Sequence, residues 1–438
     1  MRITQKTSMV SAFGACVSVV VTLVCAQGAL AGTIATIPTA EGIIPSGITA
    51  GPDGNLWFTY AGTIGPGADG VGNIGRITPS GRIRQFPIPT AISTTEGIPQ
   101  AITAGPDGNL WFTEQGTGKI GRITPSGRIS QFLLPSGSGT PEAPEAITAG
   151  PDGNLWFTVT VTNIVGEFGS NSISVSGKIG RITTSGAISE FPIPTANRPE
   201  AITAGPDGNL WFTENESGKI GRITPTGAIS EFPIPTAESR PTGITAGPDG
   251  NLWFTESNIG ASKIGRITPT GAISEFPIPT ANSVPVGITA GPDGNLWFTE
   301  WSTGMIGRIT PSGTISEFSI PAAHSIPVGI TAGPDGNLWF TVTDIVFGGK
   351  NVSVGANTIG RITPSGTISE FPIPSCVVPK LKGKTLTQAR RLIARAHCKL
   401  GKVTQPKGHT KHKLVVVSQK PGARKTLPVG AKIAVRLG

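Results

Sequence analysis

A chain of 438 residues with 61 Gly, 39 Pro and 14% charged residues is too long for one ordinary compact domain. Gly and Pro recur at fixed places inside apolar repeats and read as turn punctuation, which excludes a collagen-like or unstructured chain. The net charge of +9 hides a division: residues 376–438 hold 16 Lys and Arg and no acid, whereas residues 32–375 hold all 26 acidic residues against 17 basic ones, so two domains of opposite sign are expected.

Residues 1–31 read as an export signal. Arg2 and Lys6 precede an apolar run from about Val10 to Cys25, and Ala29-Leu30-Ala31 supplies the small-x-small cleavage pattern before Gly32. The run is short and broken by Ser, Gly and Thr, which argues against an uncleaved anchor, and no transmembrane helix is expected after cleavage. The chain is therefore expected to be secreted or held at the cell envelope, outside the cytoplasm.

From residue 32 to 375 the chain is repetitive. Gly-Pro-Asp-Gly-Asn-Leu-Trp-Phe-Thr occurs seven times unchanged, starting at Gly51, Gly105, Gly150, Gly205, Gly247, Gly291 and Gly333, and each copy follows Ile-Thr-Ala. The period of 42 to 55 residues is that of propeller blades. One unit predicts strands over Gly243–Ala246, Leu252–Thr255, Ile264–Thr268 and Ile273–Ile278, with turns at Pro248-Asp249-Gly250 and Pro269-Thr270-Gly271. Four antiparallel strands in each of seven repeats give an all-β, seven-bladed propeller. Seven of the eight Trp fall at one strand-interior position, which favours packing between blades over an aromatic ladder for a ligand. Gly-Pro-Asp-Gly-Asn lacks the alternating acids and terminal Glu of a calcium loop and reads as a hairpin turn. Thr33–Ala40 and Thr367–Pro374 both look like a blade's fourth strand, so the pattern leaves open which one closes the ring.

These motifs, with Lys-Ile-Gly-Arg-Ile-Thr and Glu-Phe-Pro-Ile-Pro, closely resemble the virginiamycin B lyase (streptogramin lyase) family over about residues 33–374. The resemblance implies a bacterial seven-bladed propeller and a magnesium-dependent elimination that opens a cyclic depsipeptide. It also implies a catalytic His and a metal-holding Glu in a Glu-Pro-His-Gly-Ile-Thr motif of the last blade, with a substrate-contacting His one blade earlier. Here the last blade reads Ile326-Pro327-Val328-Gly329, and the preceding one Val284-Pro285-Val286. Val328 thus stands at the base position, Ile326 at the metal-ligand position and Val286 at the substrate-contact position. The same slot elsewhere is Ser46, Gln100, Glu145, Glu200 and Thr242. Elimination needs a base titrating near the working pH and a cation for the developing enolate, and Val and Ile supply neither. No catalytic residue and no cofactor is assigned; magnesium belongs to the lyase alternative. His324 reads as a solvated loop residue.

Strand direction puts the slots and the ends of the Leu-Trp-Phe-Thr strands on one rim. That rim is expected to carry Glu145 and Glu200, Glu114, Glu214, Glu256 and Glu300, and Trp301, with Val286, Val328 and Val342 opposite. It suits an amphipathic or cationic small ligand; solvated charges around an unused channel are the alternative. Long loops at Tyr60–Asn73, Val159–Lys178 and Val342–Thr358 share the rim.

Residues 376–438 form a second, basic unit. Thr385 and Gln388 make a capping box that starts a helix with Leu386, Ala389, Leu392 and Ile393 on its apolar face. Val415–Ser418, Gln419–Gly422 and Lys432–Leu437 read as strand, turn and strand. The unit resembles a PASTA domain, a small α+β fold of exported bacterial proteins, some of which bind peptidoglycan. Only Cys376 and Cys398 remain after cleavage, and an even count in an exported chain favours a disulfide. Sixteen cations would attract cell-wall peptidoglycan or anionic envelope polymers; export disfavours nucleic acid, and the acidic propeller itself is a third partner. His397, His409 and His412 lack ligand spacing, and no metal is assigned.

Overall fold

The computed structural model of the protein describes residues 44–61, 72–89, 98–135, 142–165, 172–195, 198–322, 324–348, 351–354, 357–373, 375–396, 398–405, 414–423, 426–428 and 432–438. Each repeat folds into its own antiparallel sheet, with four strands in chain order. Blade 5 is Pro241–Ala246, Leu252–Glu256, Lys263–Ile267 and Ile273–Pro277, within two residues of the spans read from the sequence. In blade 7 a fifth strand, Asn351–Val354, pairs with an extension of Leu338–Gly348. In blade 3, Leu155–Val165 pairs with Ser172–Ile182 over eleven residues. Two of the three expected long loops are therefore hairpins prolonged beyond the blade.

Strand alternation explains the stacking. Along Leu-Trp-Phe-Thr-Glu, Leu, Phe and Glu share one face while Trp and Thr share the other. Trp211 and Ile220 of blade 4 pack with Leu252, Phe254 and Ile267 of blade 5, and the same arrangement repeats around the molecule. The seven Trp at the repeat position are fully buried, so packing is what that position serves.

Blade 7 meets blade 1 in the same way. Leu56 and Phe58 pack with Trp339 and Ile359. Gly81, at φ +86°, offers no room for a Cβ, which would lie 2.5 Å from the Phe371 ring. Ile368–Pro372 fills the outer strand of blade 7. The N-terminal copy, Thr33–Ala40, lies outside the described residues.

The Gly-Pro-Asp-Gly-Asn turn does more than reverse the chain. Its Asp accepts the indole N–H of the Trp four residues on, at 2.9–3.0 Å in every blade. The indole stacks on the Phe of the fourth strand, with ring centroids 5.3–5.6 Å apart. The Arg of Ile-Gly-Arg-Ile lies over the same Trp at 5.4–5.6 Å. Its Nη1 reaches the next blade: Arg222 donates to Pro269 O at 3.2 Å, and Arg308 to Pro364 O at 3.1 Å. One strand interior is thus tied to its own turn and to its neighbour. The Gly before that Arg is forced by contact, since a Cβ on Gly265 would lie 2.1 Å from the Phe254 ring.

The C-terminal unit has its own core of Val378, Leu381, Ala389, Ile393, Cys398, Val416, Ile433, Val435 and Leu437. The helix spans Leu386–Arg395 behind the expected capping box: Gln388 N donates to Thr385 Oγ1 at 3.3 Å and Thr385 N to Gln388 Oε1 at 3.0 Å. Lys432–Leu437 is the central strand, parallel to Lys399–Thr404 and antiparallel to Val416–Lys420. Gln419 and Lys420 are strand residues rather than the start of the turn. Strand Lys399–Thr404 was not among the expected elements; an irregularity between Leu400 and Val403 breaks the two-residue alternation that would have signalled it. Among the described residues no helix is long and apolar enough to cross a membrane.

Candidate functional site

Every blade's first strand carries a bulge at the slot residue. In blade 4, Pro199 pairs with Glu214 and Ile202 with Phe212, so Glu200 and Ala201 oppose Thr213 alone. The remaining blades shift register at the same place. The Thr of Leu-Trp-Phe-Thr holds each bulge open. It accepts the N–H of the residue after its own blade's slot at 2.8–3.0 Å. It then donates to the slot carbonyl of the next blade at 2.6–3.0 Å. The last of these, Thr341 Oγ1 to Ser46 O at 2.8 Å, closes a ring of seven hydroxyl bridges between residues 295 apart in sequence. The sequence reading missed this ring; the unvarying Thr at one strand position was its signal.

The bulges aim all seven slot side chains into one cavity of about 260 Å³, which also has Trp301 on its wall. Contributions from every blade place it on the ring axis. Ser46, Gln100, Glu145, Glu200 and Thr242 form a polar arc, and Val286 and Val328 face them with Trp301. Trp301 is fixed by its backbone N–H, which donates to Val284 O at 3.1 Å. Val284 itself sits at φ +50°, a left-handed conformation that strains a β-branched residue.

Of the acidic candidates, Glu145 and Glu200 line the cavity. Each is only 8% exposed, so they are buried groups rather than solvated rim charges. Burial pushes the Glu145 carboxyl up to about 8, with Glu200 adding repulsion while Arg198 and the Gln115 side chain oppose the shift. Burial likewise pushes Glu200 up to about 7 against the pull of Arg198. Gln115 Nε2 donates to Glu145 Oε1 at 2.8 Å.

Glu114, Glu214, Glu256 and Glu300 are not on the rim. They are fully buried and outside the cavity lining, because strand alternation turns them toward the blade face shared with Phe. Val342 is also buried in an inter-blade core and does not line the cavity. In blades 4 to 6 each Glu lies beside the central Glu of Ile-Ser-Glu-Phe: Glu214 by Glu231, Glu256 by Glu275, and Glu300 by Glu317. Burial first, then the neighbouring carboxyl, pushes Glu256 and Glu300 up to about 8 and raises Glu214. Lys219 and Lys263 stand by the first two pairs, 3.7 Å from Glu231 and 3.4 Å from Glu275, but the third-strand residue of blade 6 is Met305.

A pH dependence follows. Glu256 and Glu300 hold protons more tightly folded than unfolded, so their contribution to stability is complete below about pH 4.5 and is lost as pH rises toward about 8. Met305→Lys supplies the missing cation, and we expect it to raise stability at pH 8 by roughly 0.5–1 kcal/mol, with less effect at pH 4.5. Thermal melts at the two pH values check this; an equal or larger gain at pH 4.5 would contradict it.

A closed β-propeller whose inner bulges converge seven side chains on one axial funnel belongs to the class of propellers that use that funnel as a site. The chain belongs to the virginiamycin B lyase family, whose model matches residues 31–175 and 171–422. A streptogramin B lyase structure is 37% identical and superposes with a TM-score of 0.58, covering 77% of this chain and 95% of its own. The virginiamycin B lyase from Staphylococcus aureus is 41% identical, with a TM-score of 0.56 over 68% of this chain and 90% of its own. A catalytically inactive His-to-Ala variant of that lyase, solved with quinupristin, is 38% identical, with a TM-score of 0.58 over 74% and 97%. Comparison with curated proteins gives no match.

The family's magnesium does not fit the residues present. Val328 lines the funnel and Ile326, two residues earlier on the same strand, is apolar. Among the described residues no group of three or more His, Cys, Asp or Glu is placed to hold a metal ion. His324, exposed at φ +63°, does not line the cavity. His397, His409 and His412 lie outside the described residues.

Proposed function

We propose that the protein is an exported, envelope-associated ligand-binding propeller of the lyase family, which holds an amphipathic ligand in its funnel without opening it. The observation that carries this reading is the composition of the seven funnel slots. They present carboxyl, amide and hydroxyl groups on one arc and valine on the other, with no imidazole among them. A magnesium-dependent lyase of cyclic depsipeptides is the alternative. It rests on the family and on two funnel carboxyls titrating near neutrality, and it lacks a metal donor set.

In the same reading residues 1–31 are the export signal and residues 376–438 a PASTA-like domain that retains the protein on peptidoglycan or another wall polyanion. Its charge of +16 supports this, as does a three-stranded sheet with one capped helix. A Cys376–Cys398 bridge would close a short loop and add roughly 3 kcal/mol to a core this small. The disulfide-bonded state of Cys398 supports it; the Cys376 side chain lies outside the described residues.

Equilibrium dialysis of the full chain against quinupristin tests the funnel, followed by mass spectrometry of the bound fraction. We expect saturable binding with the depsipeptide recovered intact, and weakening by Val328→Glu, which puts a charge on the apolar arc. Recovery of linearised product would favour the alternative. Retention on purified cell wall at low salt, lost at high salt, is the expected behaviour of residues 376–438; no retention at low salt would remove the anchoring role.

A further inference from the structure

One funnel carboxyl is poorly satisfied for its burial. Glu200 is 8% exposed and lines the cavity, and among the described residues neither carboxyl oxygen has a partner at good hydrogen-bond geometry. The Asn215 side-chain amide, which donates to Pro241 O at 3.3 Å, and the Arg198 guanidinium stand near enough to oppose the rise in its pKa but do not close that gap. A buried carboxyl left this way costs free energy, and such groups persist where something absent completes them. Glu145, one blade earlier, reinforces the negative arc, while Val286, Val328 and Trp301 stand across the funnel.

We propose that Glu200, backed by Glu145, is the subsite for an ammonium group of the ligand, whose apolar body packs against Val286, Val328 and Trp301. This rests on the reading of the funnel as a ligand site and names the chemistry that site selects. A cation satisfies a buried carboxylate that a neutral ligand would leave unpaired, and an indole face adds to its attraction.

Proton bookkeeping gives the signature. The charged and titratable groups acting on the two carboxyls are Arg198 on both, Glu216 on Glu200, and Glu200 on Glu145. In the empty funnel burial keeps Glu200 partly protonated near neutrality. When a cation enters, the carboxyl O–H breaks, its proton leaves to solvent, and no covalent bond to the ligand forms. Binding therefore releases up to one proton from Glu200 and tightens by up to about tenfold per pH unit below its titration point.

The test is calorimetric titration of the full chain with benzyltrimethylammonium, whose charge does not titrate, and with uncharged N,N-dimethylbenzamide, at pH 6.0 and 8.5. We expect the cation to bind several-fold, up to about tenfold, tighter at pH 8.5, with proton release seen across buffers of different ionisation enthalpy. Glu200→Gln should abolish that gain and bind the cation more weakly than the parent at both pH values while keeping the parent's melting temperature, so a misfolded variant is distinguishable. If both probes bind, Trp301→Ala weakens both and Glu200→Gln changes neither, the ammonium subsite is wrong and the ligand funnel stands. If neither probe binds, both readings fall.

Discussion

Replacing Trp297 by alanine is expected to destabilise the propeller by about 3–5 kcal/mol, the usual cost of emptying a fully buried aromatic site. The loss has several parts. Trp297 is completely buried between blades 6 and 7, in a cluster with Leu338, Phe340 and Ile362. It donates to Asp293 at 3.0 Å, stacks on Phe318 at 5.5 Å and lies under Arg308. Removing the indole opens a cavity, strips a hydrogen bond from a partly buried carboxylate and removes the ring on which Arg308 rests while it bridges to Pro364. Trp301, four residues on, is half-buried on the funnel wall rather than enclosed between blades. Trp301→Ala should therefore lower the melting temperature much less than Trp297→Ala and weaken funnel binding. Thermal melts of the two variants decide the point, and equal destabilisation would show that position in the repeat does not govern the tryptophans.

Lys178→Met is the second large effect, expected at about 3 kcal/mol near pH 8. Blade 3 has Val159 where its neighbours carry the buried Glu, and its charge balance runs through a lysine instead. Lys178 Nζ lies 2.6 Å from Glu142 Oε1 and 2.9 Å from Glu190 Oε2, with the Glu142 side chain 2% exposed. Methionine keeps most of the volume and leaves two enclosed carboxylates without a cation. Burial already raises the Glu190 carboxyl, and without the lysine a proton on it relieves the pair, so the deficit should shrink as pH falls toward 4.5, and Glu142→Gln in the same chain should restore part of the loss. Denaturant titrations at pH 5 and 8 measure it. A deficit that does not change with pH would mean that lost packing, not stranded charge, is the cause.

These two sites show what the chain made legible and what it did not. Seven unchanged Gly-Pro-Asp-Gly-Asn-Leu-Trp-Phe-Thr segments announced the blades, because an apolar strand bounded by a turn can repeat that way only if every copy meets the same neighbour. The slots converged where strand direction placed them, and the single Trp outside the repeat position, Trp301, reached the funnel.

Glu114, Glu214, Glu256 and Glu300 went elsewhere for a reason that strand direction alone does not contain. Two residues at the same end of paired strands share an edge, but side-chain alternation decides whether they share a face. The first-strand bulge turns the slots into the funnel without turning the second strand. The missing signal was the Glu three residues into Ile-Ser-Glu-Phe, which partners the buried Glu in blades 4 to 6. Likewise the alternating Val-Thr-Val-Thr of Val159–Thr162 marked a strand continuing outward, where only a loop was expected.

The proposed function is a funnel that keeps the family's architecture without a base or a metal ligand at Val328 and Ile326. Incubation of the full chain with a cyclic depsipeptide of the streptogramin B class, with magnesium and again with EDTA, tests it most directly by following ring opening. Val328 and Ile326 predict no linear product under either condition. Turnover with magnesium that EDTA abolishes would mean that the funnel is a working lyase site with a base and metal ligands at other positions.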